Sequence, residues 1–382
     1  MKILLISYYY GKSASGNITL RVANELKRQG QEVFVITSDS PIDSESVCQC
    51  KNIIPDNSLI WRAIQKAYRI LTKDELRNYF WVKRAYKKGL HIIKNEGIDC
   101  IYCRTSPLEA CEVGYQLKKK TGIKTLLHFT DPEPSEFVIK NKLILKRSLR
   151  HYKEVINTVD IVSFGTEEMK HHQELLMDVS LGEKSFVSPD VSRDSEMRFL
   201  PKDTKSFTKN IVYLGSFGEY RNPIPLFNAI DSINEKGIEM KLLIYSNRPR
   251  SISYTSPNIS FQGSVQDIDA PLKMSDVLVD IDAEIENNPY LSSKVKDYLP
   301  VNRPILEISK KGTPIYNLAY NNPSFCFVIN DKESIESGLL DLINYGNEKE
   351  KYQDRLELVA LFSPISVVKN IIARIESVKN RE

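Results

Sequence analysis

Ser292-Ser-Lys-Val-Lys-Asp-Tyr-Leu299 is the stretch whose residue types most clearly suggest chemistry. A serine there is a natural N-cap, and the first turn of a helix offers free backbone N–H groups and a partial positive charge. Such a turn binds anions. Lys294 in that turn works against the helix dipole, a placement that makes sense if a phosphate supplies the negative charge. Asp297, one turn on, is placed to accept from the hydroxyls of a ribose. Read from spacing alone, the same stretch is also a surface helix with an unremarkable lysine.

Other candidates follow strands. Gly215 ends the apolar run Asn210–Leu214 and would let a ligand approach the backbone closely. Arg221, just before a predicted helix start, suits bidentate phosphate recognition or is simply a solvated loop arginine. Gly11-Lys-Ser-Ala-Ser-Gly16 is Gly/Ser-rich, but it is neither G-x-G-x-x-G nor a Walker loop. His128 and Asp131 in Leu127-His-Phe-Thr-Asp-Pro-Glu-Pro-Ser135 fall at a strand's carboxyl end, where open α/β sites lie. Either group could take a proton from an acceptor. The plain alternatives are a hydrogen-bonded strand-end histidine and a turn-forming aspartate before Pro132.

Metal chemistry finds little support. His171 and His172 are adjacent on a predicted helix and cannot share a face. Asp280-Ile-Asp282 has D-x-D spacing but sits on a predicted buried strand. Cys100 and Cys103, three apart on a strand, point to opposite faces and read as reduced buried thiols.

The elements that must position these residues alternate strand and helix. Lys2–Ser7, Glu32–Thr37, Asp99–Cys103, Lys124–Phe129 and Ile161–Phe164 read as strands, with helices over 18–28 and 108–121. The aperiodic stretch Ser188–Phe207 reads as a linker. A second alternation then begins, with strands at Asn210–Leu214, Met240–Tyr245, Val277–Ile281, Pro304–Ile308 and Cys326–Ile329. A helix is expected over 223–235, another over 333–345, and a last one over 363–378. The chain thus divides into residues 1–190, 205–362 and a terminal helix in 363–382. Two Rossmann-like domains with parallel sheets facing a central cleft are the expected α/β architecture.

At 382 residues the chain has room for two or three domains, and its net charge of +4 does not by itself point to nucleic acid. No run of about eighteen apolar residues stands out, and the first apolar run is too short for a leader, so a cytoplasmic protein is expected. Between Trp61 and Lys94 stand ten Lys/Arg and two acids, interleaved with Trp61, Tyr68, Tyr79, Phe80 and Trp81. Lys140, Lys142, Lys146, Arg147, Arg150 and Lys153 continue the theme. Such a surface is either a solvated helix face or one that lies on anionic lipid at the inner membrane.

Two segments resemble the retaining GT-B glycosyltransferases of bacterial polysaccharide and lipopolysaccharide assembly. Ser275-Asp-Val-Leu-Val-Asp-Ile, Ser292–Leu299 and Asn302-Arg-Pro-Ile-Leu306 look like that family's "aDvli.I" and "PSKlfEYlatGKPIi". Tyr213–Phe227 looks like its "yvGsf...RnpepLl.Al". The resemblance implies metal-independent transfer of a sugar, with retention, from a nucleotide-diphosphate donor to a glycan or lipid-linked acceptor. Ser293, Lys294 and Arg221 would hold the diphosphate, Asp297 the ribose, and Gly215 and Gly16 would flank the donor. Asp131 or His128 would assist the acceptor. The sequence departs from the pattern at Pro289, where the family carries a glutamate that Glu286 or Glu284 would replace, at Arg303, usually lysine, and at a second basic residue after Arg221, which is missing. A nucleotide-sugar epimerase and a non-catalytic nucleotide-sugar binder are the alternatives.

Overall fold

Lys2–Ile6 (β1) and Lys209–Leu214 (β8) are apolar runs that demand burial on both faces, and each lies inside a parallel sheet. The computed structural model describes residues 1–39, 46–51, 59–60, 63, 78–105, 107–201, 207–247, 252–265 and 267–378. The chain forms two units, Met1–Val191 with Pro364–Glu382, and Ser192–Ser363.

In the first unit β1 pairs with Glu32–Thr37 (β2) on one side and Cys100–Arg104 (β4) on the other. Val47–Gln49 (β3) extends one edge. Lys124–Phe129 (β5), Ile161–Phe164 (β6) and Ser185–Val187 (β7) extend the other, in the order β3-β2-β1-β4-β5-β6-β7. Alternation along β1 feeds two cores. Leu4 and Ile6 join Trp81, Ala85, Val113 and Val155 on one face. Ile3 and Leu5 join Ile18, Val22, Val368 and Ile371 on the other. Cys103 and Cys100 divide between the same two cores, as strand alternation requires.

In the second unit the order is β10-β9-β8-β11-β12-β13, all parallel. The strands are Met240–Tyr245 (β9), Ile259–Phe261 (β10), Val277–Ile281 (β11), Ile305–Ile308 (β12) and Phe325–Val328 (β13). Strand order reverses beside β1 and again beside β8, the switch points at which loops from adjacent carboxyl ends diverge and leave room for a ligand. In the second unit that point lies between β8 and β11, with Gly215 and Asp282 immediately beyond them.

Several expectations need correction. The helix predicted from residue 18 starts at Ala14, because Ser13 caps it by accepting from Gly16 N–H. Gly16 therefore lies in the first helical turn and not in a loop. A Cβ there would come within 2.9 Å of Gly11 N. Within the expected linker, Arg198 pairs with Asp194 and Asp269, and its backbone bridges to Val301. Short strands β3, β7 and β10 carry too few residues for a period to register.

Helical residues Lys349–Ser377 are long and apolar enough, by length and composition, to cross a membrane. The run nevertheless breaks at Ser363, whose backbone is extended. Val359 and Phe362 pack in the second unit, while Val367, Val368, Ile371 and Ile375 pack in the first.

Candidate active site

Lys294 sits differently from its expected place in a helical first turn. The helix behind it is the single turn Val295–Tyr298, too short to gather a substantial dipole, and Ser293 is exposed without capping it. Lys294 itself is largely covered, its side chain 12% exposed. Its Nζ donates to Asp280 Oδ1 at 2.7 Å and to Ser292 Oγ at 3.2 Å, and lies 5.2 Å from the centre of the Tyr213 ring. Its aliphatic stem crosses Gly215, where a Cβ would meet Cε at 3.4 Å. Gly215 has φ +108°, so both its backbone conformation and this close approach favour glycine. The two segments read separately from the sequence thus meet.

Arg221 donates from Nε to the Ile281 carbonyl at 2.8 Å, which fixes the guanidinium at the carboxyl end of β11. It lines a pocket of about 390 Å³ with Phe217–Ile224, Ile252 and Glu284. Glu284 is held there by its N–H to the Tyr220 carbonyl and by Asn330. Glu286 is exposed. Asp297 Oδ1 accepts from the Arg193 backbone N–H at 3.0 Å, and its Oδ2 lies 3.9 Å from Lys296. Arg303 is buried, and its guanidinium donates to the carbonyls of Ser275, Leu200, Pro201 and Lys273. It is a structural staple.

The sequence reading missed the acids beneath Lys294. Asp280 and Asp282 on and just past β11, and Glu307 opposite Asp280 on β12, are buried. Their signal was a charge inside an otherwise apolar strand, which burial tolerates only with a partner or a proton. Burial works against ionising Asp280, but the Lys294 ammonium and the Ser292 hydroxyl outweigh it and hold the carboxyl low. Burial likewise works against the Lys294 charge, and Asp280 outweighs it, so the lysine stays protonated. Burial, and then the charges of Asp280 and Asp282, push the Glu307 carboxyl well up. Among the described residues no group of His, Cys, Asp and Glu is arranged to hold a metal ion.

Asp282 yields a pH prediction. Burial and then the charge of Asp280 raise it from 3.8 to about 6. Between those values the folded chain holds a proton that the unfolded chain has lost, so stability falls as pH rises through the window and stays lower above it. The penalty is roughly 3 kcal/mol. Asparagine keeps an oxygen to accept from Ala283 N–H and Asn288. Asp282→Asn should therefore stabilise the chain at pH 7.5 and bring no gain near pH 4, as read by urea unfolding at the two pH values.

In the first unit His128 is fully buried, as in the plain reading of a hydrogen-bonded strand-end histidine. Its Nδ1 meets Ser163 Oγ at 2.9 Å, and burial and then Arg104 lower its pKa to about 3, keeping it neutral. Beside it Arg104 donates to Asp190 at 2.6 Å and to Tyr102 at 3.2 Å. Asp131, in the loop after β5, is half-buried. Trp81 is in the core against Tyr8 and not on the basic surface. Trp61, Tyr68 and the Tyr79 side chain lie outside the described residues. Lys140, Lys142, Lys146, Arg147 and Arg150 are exposed, with Leu143 among them.

No protein-family model matches the chain. It is 31% identical over 159 residues to an uncharacterized glycosyltransferase of Methanocaldococcus jannaschii, spanning 41% of this chain and 40% of that relative's length. Among solved structures it resembles sucrose-phosphate synthase from Thermosynechococcus elongatus, with TM-score 0.69, 13% identity and 97% of both chains covered. It also resembles Anabaena HepE in complex with UDP-glucose, with TM-score 0.64, 12% identity, and 99% and 100% covered. The chain has a GT-B-like fold. A putative UDP-N-acetylglucosamine 2-epimerase from Listeria monocytogenes shares it, with TM-score 0.60, 13% identity, and 100% and 98% covered. At such identities the likeness concerns architecture.

Proposed function

We propose that the chain is a glycosyltransferase that takes a sugar from a nucleotide-diphosphate donor, with retention, and passes it to a glycan or lipid-linked acceptor in surface polysaccharide synthesis. The observation that carries this is the convergence of Gly215, Arg221 and Lys294 at the switch point of the second sheet. Two fixed cations there suit a diphosphate, the group on which negative charge grows as the glycosidic bond breaks. Asp297 would accept from the ribose, and the exposed Glu286 or the pocket-lining Glu284 would touch the donor sugar. Ser293 N–H would complete the donor contacts in this unit. The resemblance of Tyr213–Phe227 and Ser275–Leu306 to retaining transferases supports the same reading, as do the likenesses to a glycosyltransferase of Methanocaldococcus jannaschii and to sucrose-phosphate synthase. No metal or cofactor has a role in it.

The buried, neutral His128 leaves Asp131 as the better candidate to take the acceptor proton. Asp131→Asn should lower kcat by roughly 10²–10⁴-fold while leaving donor KM near wild type. The exposed lysines and arginines over 140–150 would draw the chain to an anionic membrane at the cytoplasmic face, each contributing about 1 kcal/mol near the surface.

The epimerase reading rests on the shared fold. Incubation with UDP-glucose, UDP-N-acetylglucosamine, GDP-mannose and dTDP-sugars, with and without polyprenyl-linked saccharides, tests the assignment. Release of nucleoside diphosphate that depends on acceptor supports transfer. Conversion of one nucleotide-sugar to another without acceptor refutes it, and binding without turnover points to a non-catalytic binder.

A further inference from the structure

We infer that Asp280 is a positioning residue for the diphosphate lysine, and that its anchoring of Lys294 outweighs its own repulsion of the donor. The inference rests on the donor-site reading above and adds a residue that reading does not contain. Asp280 is wholly buried, so its carboxylate cannot meet solvent and has little reason to be present except to serve a neighbour. That neighbour is Lys294, whose Nζ it accepts from at 2.7 Å, while Ser292 accepts from the same Nζ at 3.2 Å. The ring of Tyr213 and the bare backbone of Gly215 form the remaining walls around the lysine. A four-carbon side chain with an unanchored ammonium samples many rotamers, and fixing it in one costs entropy at the moment of binding. Here Asp280 and Ser292 supply that ordering from within the chain.

The other groups around Asp280 sharpen the point. Glu307 faces it from β12, Asp282 lies two residues on along β11, and the charge of Arg221 acts on it from the loop after β8. Tyr298, whose hydroxyl accepts from Leu214 N–H and donates to the Val279 carbonyl, closes the floor. Lys294 Nζ bonds to Asp280 rather than to the facing Glu307, whose carboxyl is pushed well up by burial and then by the charges of Asp280 and Asp282.

Simple charge counting and anchoring predict opposite signs. A carboxylate beside the diphosphate repels it, so by charge alone Asp280→Asn should tighten binding. Anchoring predicts that the same change weakens it. The probe is whichever of UDP, GDP and ADP binds the wild-type chain most tightly by titration calorimetry. It is measured on wild type, Asp280→Asn, Lys294→Ala and the double variant. The expected result is a loss on the order of 10-fold for Asp280→Asn, with less than about 2-fold further loss when Lys294 is already alanine, since the two act through one group. Unchanged or tighter binding by Asp280→Asn overturns the inference. So does an equal loss in the Lys294→Ala background, which marks a general structural defect.

If Asp280→Asn does not fold, Ser292→Ala removes the second anchor. It should cost about 3-fold in wild type and nothing in the Lys294→Ala background, and no loss in wild type overturns the inference. Should Lys294→Ala itself leave binding intact, the donor-site reading fails and this inference falls with it. A loss with Lys294→Ala but none with Asp280→Asn removes this inference alone.

Discussion

Replacing Lys294 with alanine is expected to weaken nucleoside-diphosphate binding by roughly 10- to 150-fold, the 1.5–3 kcal/mol of a hydrogen bond to a charged group. The ammonium is protonated because Asp280 outweighs the burial that would discharge it. Wild-type affinity should therefore show no loss from lysine deprotonation across pH 6–9. The substitution also has a structural consequence. Asp280 loses the charge that holds its carboxyl low, in a position with no access to water. A buried carboxylate left alone destabilises a protein by about 3–5 kcal/mol unless it takes up a proton. Lys294→Ala should thus be less stable than wild type at pH 8, and the difference should narrow at pH 5 as the unpaired Asp280 takes up a proton. Calorimetric titration and thermal unfolding at the two pH values check both parts, and binding must be read well below the variant's Tm.

Arg104→Ala is expected to have the largest effect on stability in the first unit. The guanidinium is buried at the carboxyl end of β4 and pairs with Asp190 at 2.6 Å, with the Tyr102 hydroxyl at 3.2 Å. Truncation removes a charged hydrogen bond to Asp190, whose side chain is 25% exposed, and the buried bond to Tyr102, a loss of about 1.5–3 kcal/mol for the charged bond. Removing both charges should be milder, because the carboxylate that the guanidinium neutralises goes with it. Arg104→Met with Asp190→Asn should accordingly recover a large part of the loss. Urea unfolding of the two single variants and the double variant reads the coupling, and simple additivity of the two single losses would contradict it.

Much of the fold was legible because buried parallel strands must be continuously apolar. Lys2–Ile6, Glu32–Thr37, Lys124–Phe129, Met240–Tyr245 and Val277–Ile281 follow from that demand, to within a residue at their ends. The glycines that stop helices were equally plain: Gly30 and Gly122 take the positive φ that other residues resist. Less legible were features set by tertiary contact. Ser13 starts a helix inside what reads as a flexible loop, because its hydroxyl is free to cap Gly16. Trp81 reads as part of a basic surface, yet packs against Tyr8, since charge spacing on a helix does not reveal which face carries its aromatics.

At the candidate site the lysine was visible and its partner was not. Asp280 lies on the preceding strand at a separation of fourteen residues, so no local pattern ties it to Lys294. An acid within Val277–Ile281 was the one available clue, and the D-x-D spacing with Asp282 pointed away from it. His128 shows the converse. A strand's carboxyl end is a sound place to look for chemistry, but β6 and the Arg104–Asp190 pair cover this imidazole completely.

A crystal structure of the chain soaked with UDP tests the central claim most directly. The account predicts phosphate oxygens within about 3 Å of Lys294 Nζ and of an Arg221 guanidinium nitrogen, the reach of a charged hydrogen bond, with Gly215 beneath them. Diphosphate seated elsewhere in the chain, with Lys294 bonded to Asp280 and Ser292 alone, would contradict it.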